Sequence, residues 1–310
     1  MERTILIGLD ESINSTRVVD YAARISRVVK NLTYTLMTVQ SSIPPFLIDE
    51  AKQEAAAYQK LKKVQKRNEE AASNLLERCK QIMVDQGVDE ARIELHTRPK
   101  KLGIAQDVLE KAEKGLYDAL LVGRRGLTRT QQIFMGSTSN KIVNNAANVP
   151  VWIVDGEIES MKILVAVDGS PTSLRVVDHL THMVGGNPEV KVTFLHVTPK
   201  LADYCAIDFE EDEAKTIEDA LLAEDVQCID HFHAQALTML HEAGLTDKQV
   251  RFKIKTTAVS VAKVVREEAR RGKYGTVVVG RKGQHKAFFM GSTCNKLIQT
   301  MTNCALWVIV

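Results

Sequence analysis

No apolar run in this 310-residue chain approaches the roughly 18 residues that mark a membrane span. The first residues, MERTILIGLD, carry charges on both sides of a short strand-like run, so they do not read as a secretory signal. There is no excess of charge of one sign. The 41 basic and 39 acidic residues leave a net +2, less than a wholesale nucleic-acid or membrane-surface binder carries. The five cysteines (Cys79, Cys205, Cys228, Cys294, Cys304) include no C-x-x-C pair, and their odd number reads as reduced thiols in a cytosol. The phosphate-binding pattern G-x4-G-K-S/T is absent, and no G-x-G-x-x-G follows a strand. What is present, 45% hydrophobic and 26% charged residues, suits a folded globular protein, and the length favours two domains.

The chain repeats itself, which is the first thing to seek in a sequence of this length. TILIGLD (4–10) returns as KILVAVD (162–168), and Arg17-Val-Val19 as Arg175-Val-Val177. LLVGRRG (120–126) returns as VVVGRKG (277–283), and FMGSTSNK (134–141) as FMGSTCNK (289–296). The offsets are 158 from Asp10 to Asp168, 157 from Gly123 to Gly280 and 155 from Gly136 to Gly291. One domain is duplicated, with expected limits of 1–156 and 160–310 and a short polar joint near Asp155–Ser160. Apolar runs at 4–9, 33–39, 91–97, 118–123 and 150–154, and at 162–167, 190–197, 249–256, 275–280 and 305–310, read as strands. They are rich in Val, Ile and Leu, as strands buried on both faces of a parallel sheet are. Between them, Val18, Ala22, Ile25 and Val29 recur at helical spacing, and 49–86 and 211–243 read as long helical stretches. The expectation is an α/β fold of two tandem doubly wound domains, each with five mainly parallel strands and four helices.

Ligands of such sheets bind beyond the carboxyl ends of the strands, where strand order reverses. Asp10 and Asp168 end the first strand of each half, placed either to cap a helix or to accept hydrogen bonds from a ligand. The fourth strand runs into Gly123-Arg-Arg-Gly126, then nine residues, then Gly136-Ser137-Thr138 at the start of a helical pattern. Glycines admit close backbone approach, successive N–H groups form an anion nest, and the helix start adds a positive dipole end. Arg124, Arg125 and Arg129 add charge, with no acidic residue between 123 and 137. The alternative is an ordinary strand-to-helix loop in which Ser137 caps the helix.

The G-x2-G-x9-G-S/T spacing after an apolar strand, with an Asp ending the first strand, resembles the nucleotide-binding branch of the universal stress protein family, here as a tandem pair. The resemblance implies binding of ATP or AMP, and a nucleotide site of this kind leaves room for Mg²⁺ to bridge phosphate oxygens. It implies that Asp10 contacts the ribose or adenine end and that the backbone of Val39 contacts adenine. Gly123, Arg124, Gly126, Gly136, Ser137 and Thr138 would hold ribose and phosphates. The matching residues of the second half are Asp168, Val197, Gly280, Arg281, Gly283, Gly291, Ser292 and Thr293. There only seven residues separate Gly283 from Gly291, which puts that second site in question. The family resemblance also implies that the last strands, 150–154 and 305–310, meet in an intramolecular pseudo-two-fold dimer, with further homodimerisation open to it.

Other chemistry finds little support. His231 and His233 are two apart and would not share a helix face, and His179 and His182 have no ligand cluster near them. His196 reads as a satisfied strand histidine, and the basic run 60–67 as a solvated helix face flanked by glutamates. The leading expectation is a cytoplasmic stress or signalling protein that binds adenine nucleotide and reports its state to a protein partner. The alternatives are a slow ATPase using the same pocket and a scaffold for a non-nucleotide ligand.

Overall fold

The computed structural model describes residues 2–124, 135–198, 211–256, 260–282 and 291–310. The chain forms two compact units. The first comprises Met1–Ser26 and Asn31–Asp155, and the second Gly156–Val310 together with Arg27–Lys30.

In the first unit, strands β1 (Arg3–Gly8), β2 (Leu32–Val39), β3 (Ile93–Arg98), β4 (Ala119–Gly123) and β5 (Val151–Asp155) lie in the order β3-β2-β1-β4-β5. Every pairing is parallel, with Ile7 opposite Leu36 on one side and Leu121 on the other. The runs are apolar because both faces are covered. Ile5, Leu6, Ile7, Leu120, Leu121 and Trp152 are all fully buried, and each such aliphatic side chain contributes about 1.5–3 kcal/mol. Helix α1 (Ile13–Ile25) buries the expected stripe of Val18, Ala22 and Ile25. The stretch 49–86 expected as a long helix is one helix, α3 (Ala55–Asp85), and a short helix not expected from the sequence, α2 (Pro45–Glu50), precedes it. Pro44 and Pro45 suit a helix start, and α2 buries nothing, so it does not fuse with α3. Among the described residues the unit therefore has one more helix than expected. Helix α3 buries Leu75, Leu76, Cys79 and Met83 in its second half, while the basic residues of its first half are exposed. Helices α4 (Ile104–Lys114) and α5 (Ser137–Asn145) follow β3 and β4.

The second unit repeats the plan. Strands β6 (Ile163–Val167), β7 (Val192–Thr198), β8 (Val250–Thr256), β9 (Thr276–Gly280) and β10 (Cys304–Ile309) run β8-β7-β6-β9-β10, again all parallel. Its helices among the described residues are α6 (Pro171–Val184), α7 (Glu211–Glu242), α8 (Val261–Gly272) and α9 (Ser292–Thr300). Among the described residues no helix is long and apolar enough to cross a membrane. In each unit the strand order reverses beside the first strand, between β1 and β4 or between β6 and β9, the place where sheets of this kind open a crevice at their carboxyl ends.

Candidate functional site

In the first unit a cavity of about 260 Å³ occupies that crevice. Gly8, Leu9 and Asp10 come to it from the end of β1, and Val39 from the end of β2. Val122 and Gly123 come from the end of β4, and Gly136, Ser137, Thr138 and Ser139 from the start of α5. Ile104 and Val108 of α4 and Ile142 of α5 form an apolar wall. A side chain at residue 8 would crowd this junction, since a Cβ there would stand 3.3 Å from a Val122 methyl.

Asp10 does not cap α1. The N-cap residue is Ser12, two positions on. Asp10 instead organises the turn: its Oδ1 accepts from the Ser12 N–H (3.0 Å), the Ser12 hydroxyl (2.5 Å) and the Ser15 hydroxyl (3.1 Å). The Asp10 N–H in turn donates to Ser15 Oγ (2.9 Å). All three donors converge on one carboxylate oxygen, which leaves Oδ2 as the oxygen with acceptor capacity for another molecule. The Gln40 N–H donates to Arg98 O (2.9 Å) on β3, so strand alternation turns the backbone groups of Val39 the other way, toward the end of β1.

Arg124 binds both ends of the loop that follows β4. Its N–H donates to Val154 O (2.9 Å) on β5, and its carbonyl accepts from the Gly136 N–H (2.9 Å). Its guanidinium, 3% exposed, lies 3.4 Å from Asp155 Oδ2 and is not among the groups lining the cavity. Gly136 is the N-cap of α5 and offers no side-chain cap, and the first-turn residues Ser137, Thr138 and Ser139 line the cavity with it. Ser139 fixes the helix start to the strand end by donating to Gly123 O (2.6 Å). Of the sequence-selected residues, Asp10, Val39, Gly123, Gly136, Ser137 and Thr138 meet around the cavity, and Gly126 lies outside the described residues. Ser12, Ser15 and Ile104 were not selected. The signal for the serines was present, since D-x-S-x-x-S occurs at 10–15 and again at 168–173.

The counterparts in the second unit are more enclosed. Asp168 Oδ1 accepts from the Ser170 N–H (3.1 Å) and the Ser173 hydroxyl (2.8 Å). Ser170 and Val197 are buried, where Ser12 and Val39 are half-buried. Thr172 packs on Gly280, where a Cβ would meet its methyl at 2.6 Å. His196, one residue before Val197, places Nδ1 3.1 Å from Val167 O and Nε2 2.8 Å from Asp225 Oδ2 on α7, a structural bridge. Arg281 repeats the double staple, donating to Ile309 O (2.7 Å) and accepting from the Gly291 N–H (2.8 Å). Gly291 caps α9 as Gly136 caps α5, and Ser292 and Thr293 open that helix. Gly283 lies outside the described residues.

The sequence model of the universal stress protein family matches the chain twice, over residues 1–155 and 159–309. Among solved structures, a universal stress protein from Archaeoglobus fulgidus DSM 4304 aligns over 99% of this chain and 97% of its own, with 17% identity and a TM-score of 0.62. A functionally unknown protein from Pseudomonas aeruginosa PAO1 aligns over 99% and 92%, with 13% identity and a TM-score of 0.62. At these identities the likeness is one of fold. No curated protein sequence matches the chain.

Proposed function

The chain belongs to the universal stress protein family as a tandem two-domain member, and from that membership we propose that its first unit binds an adenine nucleotide, ATP or AMP, in a stress response. The observation that carries this reading is the convergence of three unlike groups on one cavity. These are a carboxylate oxygen with acceptor capacity, the turned-out backbone at the end of β2, and an α5 N-terminus capped only by glycine. Asp10 accepts from the sugar hydroxyls or the base amine. The Val39 backbone offers the paired donor and acceptor that an adenine edge matches. The phosphates meet the Gly136–Ser137–Thr138 turn, where N–H groups and helix dipole favour negative charge. At about 260 Å³ the cavity is slightly under the ~300–1,000 Å³ of small-molecule pockets, which fits a nucleoside seated inside with its phosphates at the rim. Mg²⁺, when it accompanies ATP, is held through phosphate oxygens and water, its usual mode. Cys79, Cys228, Cys294 and Cys304 are thiols, in keeping with a reducing cytoplasm.

Isothermal titration of the full chain tests this. ATP or AMP should bind with measurable heat, and Asp10→Ala should weaken binding at least tenfold, about 1.4 kcal/mol. Absence of both heat and thermal shift at millimolar nucleotide would refute it.

A further inference from the structure

The two units begin their first helices with the same residues and use them differently. Ser12 and Ser170 are both N-cap residues with extended backbone angles, φ −81° and ψ 157° against φ −68° and ψ 163°. Ser15 and Ser173 do the same work in both, each accepting from the aspartate N–H and donating to its Oδ1. The difference lies in one hydroxyl. Ser170 Oγ accepts from the Ser173 N–H (3.3 Å) and so caps α6. Ser12 Oγ makes no capping bond to α1 and donates to Asp10 Oδ1 instead. An N-cap hydroxyl is among the more valuable local contacts of a helix. Departures from local rules of this kind concentrate at functional sites.

We propose that Ser12 is a positioning residue for the ligand site of the first unit: it gives up capping α1 to hold Oδ1 of Asp10, so that Oδ2 is presented to the ligand. Ser170 has the helix-capping role in the second unit. The inference rests on the nucleotide reading above, because it assigns Asp10 a ligand. The Ser12 hydroxyl directs its one proton to Oδ1. With the Ser12 N–H and the Ser15 hydroxyl already on Oδ1, the Ser12 hydroxyl completes that oxygen's set of donors and fixes the rotation of the carboxylate. A carboxylate whose rotation is fixed before binding loses less freedom when the ligand arrives.

The test pairs two substitutions in the full chain and reads nucleotide affinity and melting temperature for each. Ser12→Ala should weaken ATP or AMP binding about tenfold, and the loss of a hydrogen bond to a charged group should also lower the melting temperature by a few degrees. Ser170→Ala should lower the melting temperature by about 2–4 °C and leave the affinity at its wild-type value. Ser12→Thr, which keeps the hydroxyl, should restore binding. A Ser12→Ala protein that binds as the wild type does overturns the assignment. Should the wild type take up no nucleotide, the proposed function falls and the assignment of Ser12 falls with it.

Discussion

Cys294 stands third in α9 where Ser139 stands third in α5, and the exchange of oxygen for sulfur changes both local bonding and reactivity. Ser139 ties its helix to the end of β4 through Gly123 O. Ser139→Cys should therefore cost about 1 kcal/mol, read as a lower urea midpoint. Cys294 itself is 2% exposed, and burial pushes its thiol up to about 12 against the weaker pull of the nearby Arg281. Almost no thiolate exists there at pH 8. Peptide mapping after iodoacetamide treatment of the folded chain should find the half-buried Cys228 labelled well before Cys294; prompt labelling of Cys294 would contradict the burial argument. At this scale the sequence was uneven as a guide. Spacing alone brought out Asp10 and the Gly-Ser-Thr turn. It could not foretell the direction of the Arg124 side chain, which is set by Asp155 on a different strand, 31 residues later.

Helix α4 supplies Ile104 and Val108 to the cavity wall, and one buried carboxylate secures its start. Gly103 precedes it at φ +139°, a conformation that glycine adopts without penalty. Asp107, fully buried, accepts from the N–H groups of Lys101 (2.9 Å), Leu102 (3.2 Å) and Gly103 (3.4 Å), with Arg98 3.6 Å away. Burial pushes its carboxyl up, and the three backbone donors and Arg98 together outweigh that and hold it below the ordinary value. A lowered folded-state value means the stabilisation is complete above the unfolded pKa of about 3.9 and is lost as pH falls through the folded one. Urea midpoints should hold between pH 7 and 5 and drop below about pH 4. Asp107→Asn should cost about 2 kcal/mol at pH 7 and flatten the acid limb; an unchanged limb would mean that other carboxylates carry it. The helices themselves were largely legible, since the apolar stripe of α1 is buried as its period requires. The short helix α2 was not, nor was the start of α3 at Ala55. The alanines, lysines and glutamates of 49–86 favour helix throughout, and only tertiary support decides where such a run begins.

For the whole molecule, duplication made the fold readable, because two diverged copies of one strand-and-glycine pattern can be aligned within a single sequence. The chemistry was less readable, because the copies keep the same residues while differing in their surroundings. Ser170 and Val197 are buried where Ser12 and Val39 are half-buried, and Thr172 lies on Gly280. Native mass spectrometry with ATP should accordingly show one nucleotide per chain, lost in Asp10→Ala. Two per chain would place the second unit on an equal footing. The double staples at Arg124 and Arg281 carry a consequence for engineering. Each makes the chain leave and rejoin its scaffold at a single amino acid, enclosing residues 125–135 in one copy and 282–290 in the other. Eleven positions in one copy and nine in the other thus separate equivalent bonds, and closing a chain segment of either length costs nearly the same entropy. Changing the number of residues between the two bonds should therefore leave the urea midpoint of the α/β body near its starting value.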